Sequence, residues 1–455
     1  MFFAERSPTA GTPVAASPVV KAGISQRRNY LLLATILAAP YFYIRPYGFD
    51  FSRGTSLSLV DIGLFALLIS ALTEQRANLV RQFGNCVYAK IGVTFVLVAM
   101  IAAALGRYLI QFETPLKWWN FLSVLSQYGF VLIALPWLAM YYLPLDLRKS
   151  IRWIALAYLP PMLLGLILVN HSSPDDLRSL FYSINRGIGT YGNANSFAVV
   201  ILLVLPYYVY LSLTERGAWQ ILGYAGSAVS IVSLLLTVSF SSILTLSVMI
   251  AVVALFLMWR FGLRLREWRD VIRFVSLTGS LTLALALAIC LYEPQVLTDL
   301  SPRFATAKAG LAGQGLEAIG SGSQRMELME AALHIIGQQK GNLLWGNGLG
   351  NARFSELFTF GDVSLDVHNL YLLLWLEAGL AGMCLFASFL LAAIIFALRR
   401  ATYWRAEAVT IGMSVFAMAV SAMSYPHLYL RYFWIPLLPA FLLARKPNTA
   451  DAAHS

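Results

Sequence analysis

Arg186 and a run of glycines and asparagines stand directly before an apolar segment, in the sequence RGIGTYGNANSF (186–197). An arginine beside a helix N-terminus brings two positive charges together, and an anionic ligand would reconcile them. Glycines let backbone N–H groups approach such an anion, and Asn193 and Asn195 can cap the helix and donate hydrogen bonds. The pattern predicts an anion site, although a turn with an N-cap and a solvated Arg186 fits it equally well.

A histidine and a carboxylate accompany a later apolar segment, in DVHNLYLLLWLEAGLAG (366–382). His368 and Asn369 fall at its edge, where an imidazole that titrates near neutral pH could act as a general base, although a lipid-headgroup contact is the more common role for a lone histidine there. Glu377 lies inside the apolar segment, where a carboxylate is costly and indicates a functional or structural polar role. The helical repeat separates His368 and Glu377 by about 2.5 turns, so we do not expect a dyad.

Three arginines between these two segments could bind a phosphate. Arg303, Arg325 and Arg353 keep their charge at any physiological pH, and a guanidinium can form paired hydrogen bonds with phosphate oxygens. Ordinary surface arginines are the simpler interpretation of the same residues.

The elements that must position these residues are membrane-spanning helices. Hydrophobic residues make up 59% of the 455, charged residues 12%, and the mean hydropathy is +0.69, values that a water-soluble surface could not carry. Long apolar runs without β-type alternation predict an all-α polytopic membrane protein with about twelve transmembrane helices. The runs lie near 30–46, 55–73, 90–112, 121–145, 150–170, 195–213, 220–238, 241–260, 272–292, 369–398, 406–424 and 428–445.

The distribution of lysine and arginine predicts which way the helices face. Cations concentrate in the N-terminal tail and in the segments on the same side of the membrane, so the positive-inside rule predicts that both termini are cytoplasmic. The densest cluster, in 260–273, is expected to meet anionic membrane lipids. This topology accounts for the net charge of +11, and no motif for binding nucleic acid is present in the sequence.

The predicted organisation has one long outer loop between two groups of helices. The whole chain divides into five predicted segments, which are a cytoplasmic tail (1–29), helices one to nine (30–292), a large periplasmic loop (293–368), helices ten to twelve (369–445) and a C-terminal tail (446–455). A loop of this length is usually functional. Apolar residues at helical spacing predict an amphipathic helix within it, and they are Met326, Met329, Leu333 and Ile336.

Taken together, these features resemble the O-antigen ligase and polymerase superfamily of bacterial envelope biogenesis. The resemblance covers roughly 185–385, and its most specific part is the pattern HNxxLxxxxExG that begins at His368. The matching residues are Arg186, Gly192, Asn195, Arg325, Gly348, Gly350, Phe354, His368, Asn369, Leu372, Glu377, Gly379 and Gly382. Many members carry a Ser-Arg pair after the seventh helix, where this chain has the sequence SFSS (239–242), so the second cationic contact is assigned to Arg325.

The resemblance implies transfer of a glycan from an undecaprenyl pyrophosphate carrier to an acceptor, at the periplasmic face of the inner membrane. It implies that Arg186 and Arg325 bind the pyrophosphate and that His368 takes the acceptor proton, with inversion at the anomeric carbon. Permanent charge on the two arginines removes the need for a metal, and no cofactor is implied. The expected substrate-binding residues are Asn193, Asn195, Asn369, Arg303, Arg353, Gly348, Gly350 and Glu377.

Three functions remain open at this point. The single long outer loop favours a ligase that joins O-antigen to the lipid A core, over a polymerase of O-antigen repeat units or of an exopolysaccharide. A transporter or flippase is the alternative of another class, because twelve helices and intramembrane charges such as Asp61, Arg107 and Glu377 could line a path. The chemistry-bearing residues concentrate on one face rather than at the midplane, which favours an enzyme.

Overall fold

The computed structural model is built almost entirely of helices. It describes residues 18–41, 59–110, 118–143, 146–168, 182–183, 186–187, 189–191, 193–261, 265–292, 321–338, 344–352, 359–360, 363–364, 367–401 and 405–444. The helices are α1 (Pro18–Ala38), α2 (Leu59–Glu74), α3 (Leu79–Asn85), α4 (Val87–Ile110), α5 (Trp118–Tyr142), α6 (Leu147–Ile167), α7 (Ala194–Thr214), α8 (Ala218–Thr237), α9 (Phe240–Phe261), α10 (Leu265–Tyr292), α11 (Ser321–Gln338), α12 (Leu370–Arg400), α13 (Arg405–Ser421) and α14 (Leu438–Leu442). All are α-helical except that α5 contains π-helical turns at Phe130–Ala134 and Leu138–Tyr142. Two short antiparallel ladders join β1 (Tyr182–Ser183) to β2 (Arg186–Gly187), and β3 (Thr359–Phe360) to β4 (Val363–Ser364).

The helices agree with a polytopic membrane protein. Within the described ranges, seven of them are long and apolar enough to cross a bilayer, namely α4, α5, α6, α7, α8, α10 and α12. The apolar parts of α9 and α13 are shorter, at Phe240–Leu255 and Ala406–Ser421. α1 begins at Pro18, so part of the stretch predicted as a tail (1–29) is helical.

α7 lies at the centre of the bundle and packs against α6, α8 and α13. In its apolar 18-residue stretch 78% of the residues are buried, whereas only 11% are buried in that of α10, which lies at the periphery. Gly223 and Gly226 of α8 come so close to α7 that a Cβ at either position would overlap the Ser212 backbone or the Tyr208 ring. Small residues thus allow the close helix contact that packing in an apolar solvent requires.

The prediction of a continuous twelfth helix over 428–445 is wrong. The chain there forms turns, a 3-10 turn at Arg431–Phe433 and the short α14, because Pro436 and Pro439 remove backbone donors. The segment nevertheless runs the length of α12, because Ala422 O accepts from Leu370 N–H at 2.7 Å and Leu443 O accepts from Arg400 Nε at 3.1 Å.

Buried side chains hydrogen-bond to the backbone of this irregular segment. The Tyr158 hydroxyl donates to Tyr432 O at 3.4 Å, the Tyr207 hydroxyl donates to Pro436 O, and Trp434 Nε1 donates to Leu428 O at 2.7 Å. Non-helical backbone is tolerated at membrane depth only when the protein itself satisfies it. These hydroxyl and indole groups therefore take the place of helical hydrogen bonds.

A buried carboxylate fastens α6 to the end of α7. Both oxygens of Glu215 accept from Arg148 at 2.6 and 2.7 Å, and one also accepts from Arg152 at 2.6 Å. These hydrogen bonds, that of Arg148 above all, lower the pKa of Glu215 from its ordinary 4.5 to about 2. The carboxylate is therefore ionised in the folded protein at neutral pH.

Replacing this carboxylate by an amide, Glu215→Gln, is expected to cost about 1–3 kcal/mol of unfolding free energy at pH 7, because two arginines lose their charged partner. A folded pKa below the unfolded one contributes stability that is complete above 4.5 and is lost as the pH falls toward 2. The Tm difference between wild type and variant in detergent should thus shrink as the pH falls through this range. Exposed Glu330, changed to Gln, is the control, and equal Tm values for wild type and Glu215→Gln at pH 7 would contradict the prediction.

Candidate functional site

α12 is broken at Gly379, and a loop docks on the break. Gly379 has φ +74° and ψ 174°, which interrupts the helical hydrogen bonds around it. The N–H groups of Asn347 and Gly348 donate to the carbonyl oxygens of Leu376 and Glu377, at 3.0 and 2.9 Å. Residues 344–352 therefore form a docked loop that supplies the donors that the broken helix lacks.

Glycines are needed on both sides of this contact. A Cβ at Gly346 would overlap the carbonyl group of Glu377, and a Cβ at Gly379 would overlap that of Leu344. The two backbones could not approach each other with any larger residue at these positions.

Gly348 and Gly350 were predicted to bind substrate, and the structure gives both a conformational role. They adopt φ +95° and +71°, in the left-handed region that glycine occupies most easily. A Cβ at Gly350 would also lie 2.9 Å from Cγ2 of Val124 in α5. Contact of these glycines with a substrate stays a prediction.

Glu377 fixes the end of the docked loop. Its side chain is buried, with 4% exposure, and its Oε1 accepts a hydrogen bond from the N–H of Ala352 at 3.1 Å. The cost of an intramembrane carboxylate is thereby offset by a backbone donor. This contact makes Glu377 a positioning residue, and its predicted contact with a substrate stays untested.

His368 lies immediately before α12 and is partly exposed. Asn369 caps that helix, because its Oδ1 accepts from Leu372 N–H at 3.1 Å. The next residue, Leu370, donates its N–H to Ala422 O at 2.7 Å. The backbone beside His368 is thus fixed to the end of α13.

Asn193 caps α7 in the same way. Its Oδ1 accepts from the N–H groups of Asn195 and Ser196, at 2.8 and 3.4 Å, so Asn195 lies in the first turn of the helix. Arg186 belongs to β2, whose backbone packs against α7 and α8 and pairs with Ser183. The cap predicted for Asn193 is confirmed, whereas Asn195, also predicted to cap, lies inside the helix.

A segment that the sequence interpretation overlooked joins the starts of α7 and α12. Ala422 is bonded to Leu370, and the Tyr425 hydroxyl lies 2.5 Å from the hydroxyl of Ser196 in the first turn of α7. At most about 11 Å of chain separates residues 422 and 425. The signal for this segment was present in the sequence, because SYPHLYLRY (424–432) places a histidine and an arginine within an apolar run.

Arg325 lies on the face of α11 that turns toward the bundle. α11 packs against α12 and buries Leu328, Ala332 and Ile336, and Arg325 continues that row one helical turn earlier. The predicted apolar face is partly wrong, since Met326 and Leu333 are 38% and 51% exposed. The row of contacts with α12, rather than the number of apolar residues, decides which face is buried.

The guanidinium of Arg325 is partly buried. Its Nε is shielded from solvent and has no hydrogen-bond partner among the residues that the structure describes. Burial lowers the pKa of Arg325, yet a guanidinium remains charged at neutral pH. A buried cation with a spare donor is suited to an anionic ligand.

Arg303 and Arg353 lie outside the described residues, as do Gly192 and Phe354. The parts that are described contain no group of three or more His, Cys, Asp or Glu residues that could hold a metal ion.

The sequence matches no family model and no curated protein. The resemblance to the O-antigen ligase and polymerase superfamily therefore rests on the motif residues themselves.

Adding a methyl group to the docked loop, Gly346→Ala, is expected to destabilise the protein by about 1–3 kcal/mol, because the new Cβ would collide with the backbone of α12. The Tm in detergent should fall, and limited proteolysis should cut the loop faster than in wild type. Gly337→Ala in α11 is the matched control, since its Cβ would meet no atom within 4 Å. Similar Tm values for Gly346→Ala and Gly337→Ala would show that the loop does not dock on the break.

Proposed function

We propose that this protein is a membrane glycosyltransferase of the O-antigen ligase type. It moves a glycan from undecaprenyl pyrophosphate to the lipid A core oligosaccharide. The observation that carries the proposal is the pair of contacts from Ala422 to Leu370 and from Tyr425 to Ser196. These contacts bring together the starts of α7 and α12, the two helices that follow the Arg186 and His368 motifs.

In the proposed reaction, His368 takes the proton from the acceptor hydroxyl. The hydroxyl oxygen forms a bond with the anomeric carbon of the donor glycan, and the bond from that carbon to the pyrophosphate oxygen breaks. The electron pair leaves with the lipid diphosphate, and attack from the opposite side inverts the anomeric carbon. Arg186 and Arg325 stabilise the charge that develops on the diphosphate.

Arg325 is suited to this role by its surroundings. Its row on α11 faces the bundle, and its buried Nε lacks a partner in the described part of the chain. A charge-assisted hydrogen bond to phosphate is stronger where water is excluded. Arg186 would bind the same group from the segment before α7.

The proposed site faces the periplasm of a bacterial inner membrane, with both chain termini in the cytoplasm. An ion pair and a hydrogen bond support this arrangement, because they join segments that the charge distribution assigns to the cytoplasm, or the helix ends next to those segments. Arg28 pairs with Glu74, and Glu407 accepts from the Tyr210 hydroxyl at 2.7 Å. The Asn369 and Asn193 caps lie at the opposite ends of their helices.

A buried ion pair weighs against the transporter alternative. Asp61 is fully buried and pairs with Arg431. A carboxylate that lines a transport path must exchange ligands or protons, whereas this carboxylate is neutralised by a side chain of the irregular segment that follows α13. The pair is therefore better explained as a structural contact.

Deletion of the gene distinguishes a ligase from a polymerase. A ligase mutant is expected to accumulate long lipid-linked O-antigen and to carry bare lipid A core, because polymerisation continues without transfer. A polymerase mutant is expected to attach single repeat units instead. Separation of the extracted lipopolysaccharide by gel electrophoresis reads out both outcomes, and a wild-type pattern would contradict both functions.

Removing the proposed base, His368→Ala, is expected to slow glycan transfer by about 10²- to 10⁴-fold, the usual contribution of a general base. The assay uses purified protein in liposomes, with undecaprenyl pyrophosphate-linked O-antigen as donor and lipid A core as acceptor. The control is His334→Ala, at an exposed histidine of α11, which should transfer at the wild-type rate. Transfer by His368→Ala at the wild-type rate would exclude His368 as the base.

A further inference from the structure

Two partly exposed polar rings lie in the segment that joins the starts of α7 and α12. His427 and Tyr429 both retain solvent access, while Pro426 and Leu428 on either side of His427 are buried. Both rings belong to one turn, which a hydrogen bond from Leu430 N–H to His427 O closes at 3.2 Å. Neither ring belongs to a motif that the proposed function uses.

Contacts on both sides fix the orientation of these rings. His427 Nδ1 lies 3.2 Å from the Tyr429 hydroxyl, and the two ring centroids are 5.8 Å apart at 83°. The Tyr425 ring meets His427 edge-on at 5.8 Å, and its hydroxyl is held by Ser196. Tyr429 also contacts the Tyr128 ring of α5, with centroids 5.5 Å apart.

We propose that His427 and Tyr429 form a sugar-binding subsite for the acceptor glycan, an inference that rests on the proposed transferase function. A pyranose ring has a face of C–H groups that stacks on an aromatic ring and an edge of hydroxyl groups that form hydrogen bonds. The Tyr429 ring provides the apolar face. The partly exposed His427 ring beside it is placed to hydrogen-bond a sugar hydroxyl.

The position of Tyr429 favours the acceptor over the donor. Its neighbour Tyr128 lies on the same face of α5 as Val124, four residues earlier, and Val124 supports Gly350 of the docked loop. That loop is bonded to Glu377 of α12, the helix that His368 precedes. Tyr429 therefore lies on the side of α5 and α12, with the proposed base, whereas Arg186 precedes α7 on the donor side.

The test measures steady-state kinetics with purified lipid A core as acceptor and undecaprenyl pyrophosphate-linked O-antigen as donor. Tyr429→Ala and His427→Gln each remove a ring and are expected to raise KM for lipid A core at least about tenfold, the size of a stacking contact. The donor KM and kcat should stay within about threefold of wild type, because neither ring takes part in the bond changes. Tyr429→Phe keeps the ring and should raise the acceptor KM less than Tyr429→Ala does.

Tyr224→Ala in α8 is the matched control, because Tyr224 lies outside the segments that carry the proposed site. Like Tyr429 it is partly exposed and contacts another aromatic ring, that of Phe274, with centroids 6.2 Å apart. Its acceptor KM should equal that of wild type. Thermal unfolding in detergent identifies variants that misfold. If Tyr429→Ala misfolds, the other two variants test the subsite: the acceptor KM of His427→Gln should then exceed that of Tyr429→Phe.

An independent measurement separates failure of the subsite from failure of the proposed function. Binding of lipid A core to the protein in nanodiscs, without donor, should weaken in Tyr429→Ala. If folded, active variants keep the wild-type acceptor KM and the wild-type binding of lipid A core, the subsite is overturned and the transferase proposal stands. A rise in the donor KM without a rise in the acceptor KM would also overturn the subsite. If wild type transfers no glycan but binds lipid A core through Tyr429, the transferase proposal fails and the glycan subsite stands.

Discussion

The architecture depends on one constraint, which is that every backbone polar group inside the apolar bundle needs a hydrogen-bond partner. Among other places, the chain leaves helical geometry inside the bundle at Gly379 and along 422–444. At the first place, N–H groups of the docked loop serve the carbonyls of α12. At the second, buried tyrosine hydroxyls and an indole serve the carbonyls of the irregular segment.

The same bonds determine where the chemistry-bearing residues lie. The docked loop is held by the break in α12, and Glu377 beside the break holds its far end. The irregular segment begins against Leu370 and then contacts Ser196, so it sets the separation between the starts of α12 and α7. The hydrogen bonds that satisfy the non-helical backbone are therefore the same contacts that assemble the proposed site.

Buried charged side chains in this protein also need partners. Asp61 and Glu215 are buried and paired with arginines, and buried Glu377 accepts from a backbone N–H. Arg325 differs from the arginines of these pairs: Arg152 also has an unpartnered Nε but pairs with Glu215, whereas Arg325 has a shielded, unpartnered Nε and no ion pair among the described residues. The contrast explains why Arg325, rather than a paired arginine, is proposed to meet the phosphate of a lipid carrier.

The sequence by itself determined the helical membrane class and the Asn193 cap, because these follow from composition and local backbone preference. The Asn369 cap and the left-handed backbone of Gly348 and Gly350 came only from the structure. It misjudged 428–445, where apolar composition resembles a helix but prolines and distant tyrosines favour an irregular path. It also rotated the buried face of α11, because contact with α12 selects that face. Only the tertiary structure brought His427 and Tyr429 to the starts of α7 and α12, since contacts between residues so far apart in the chain leave no local pattern in the sequence.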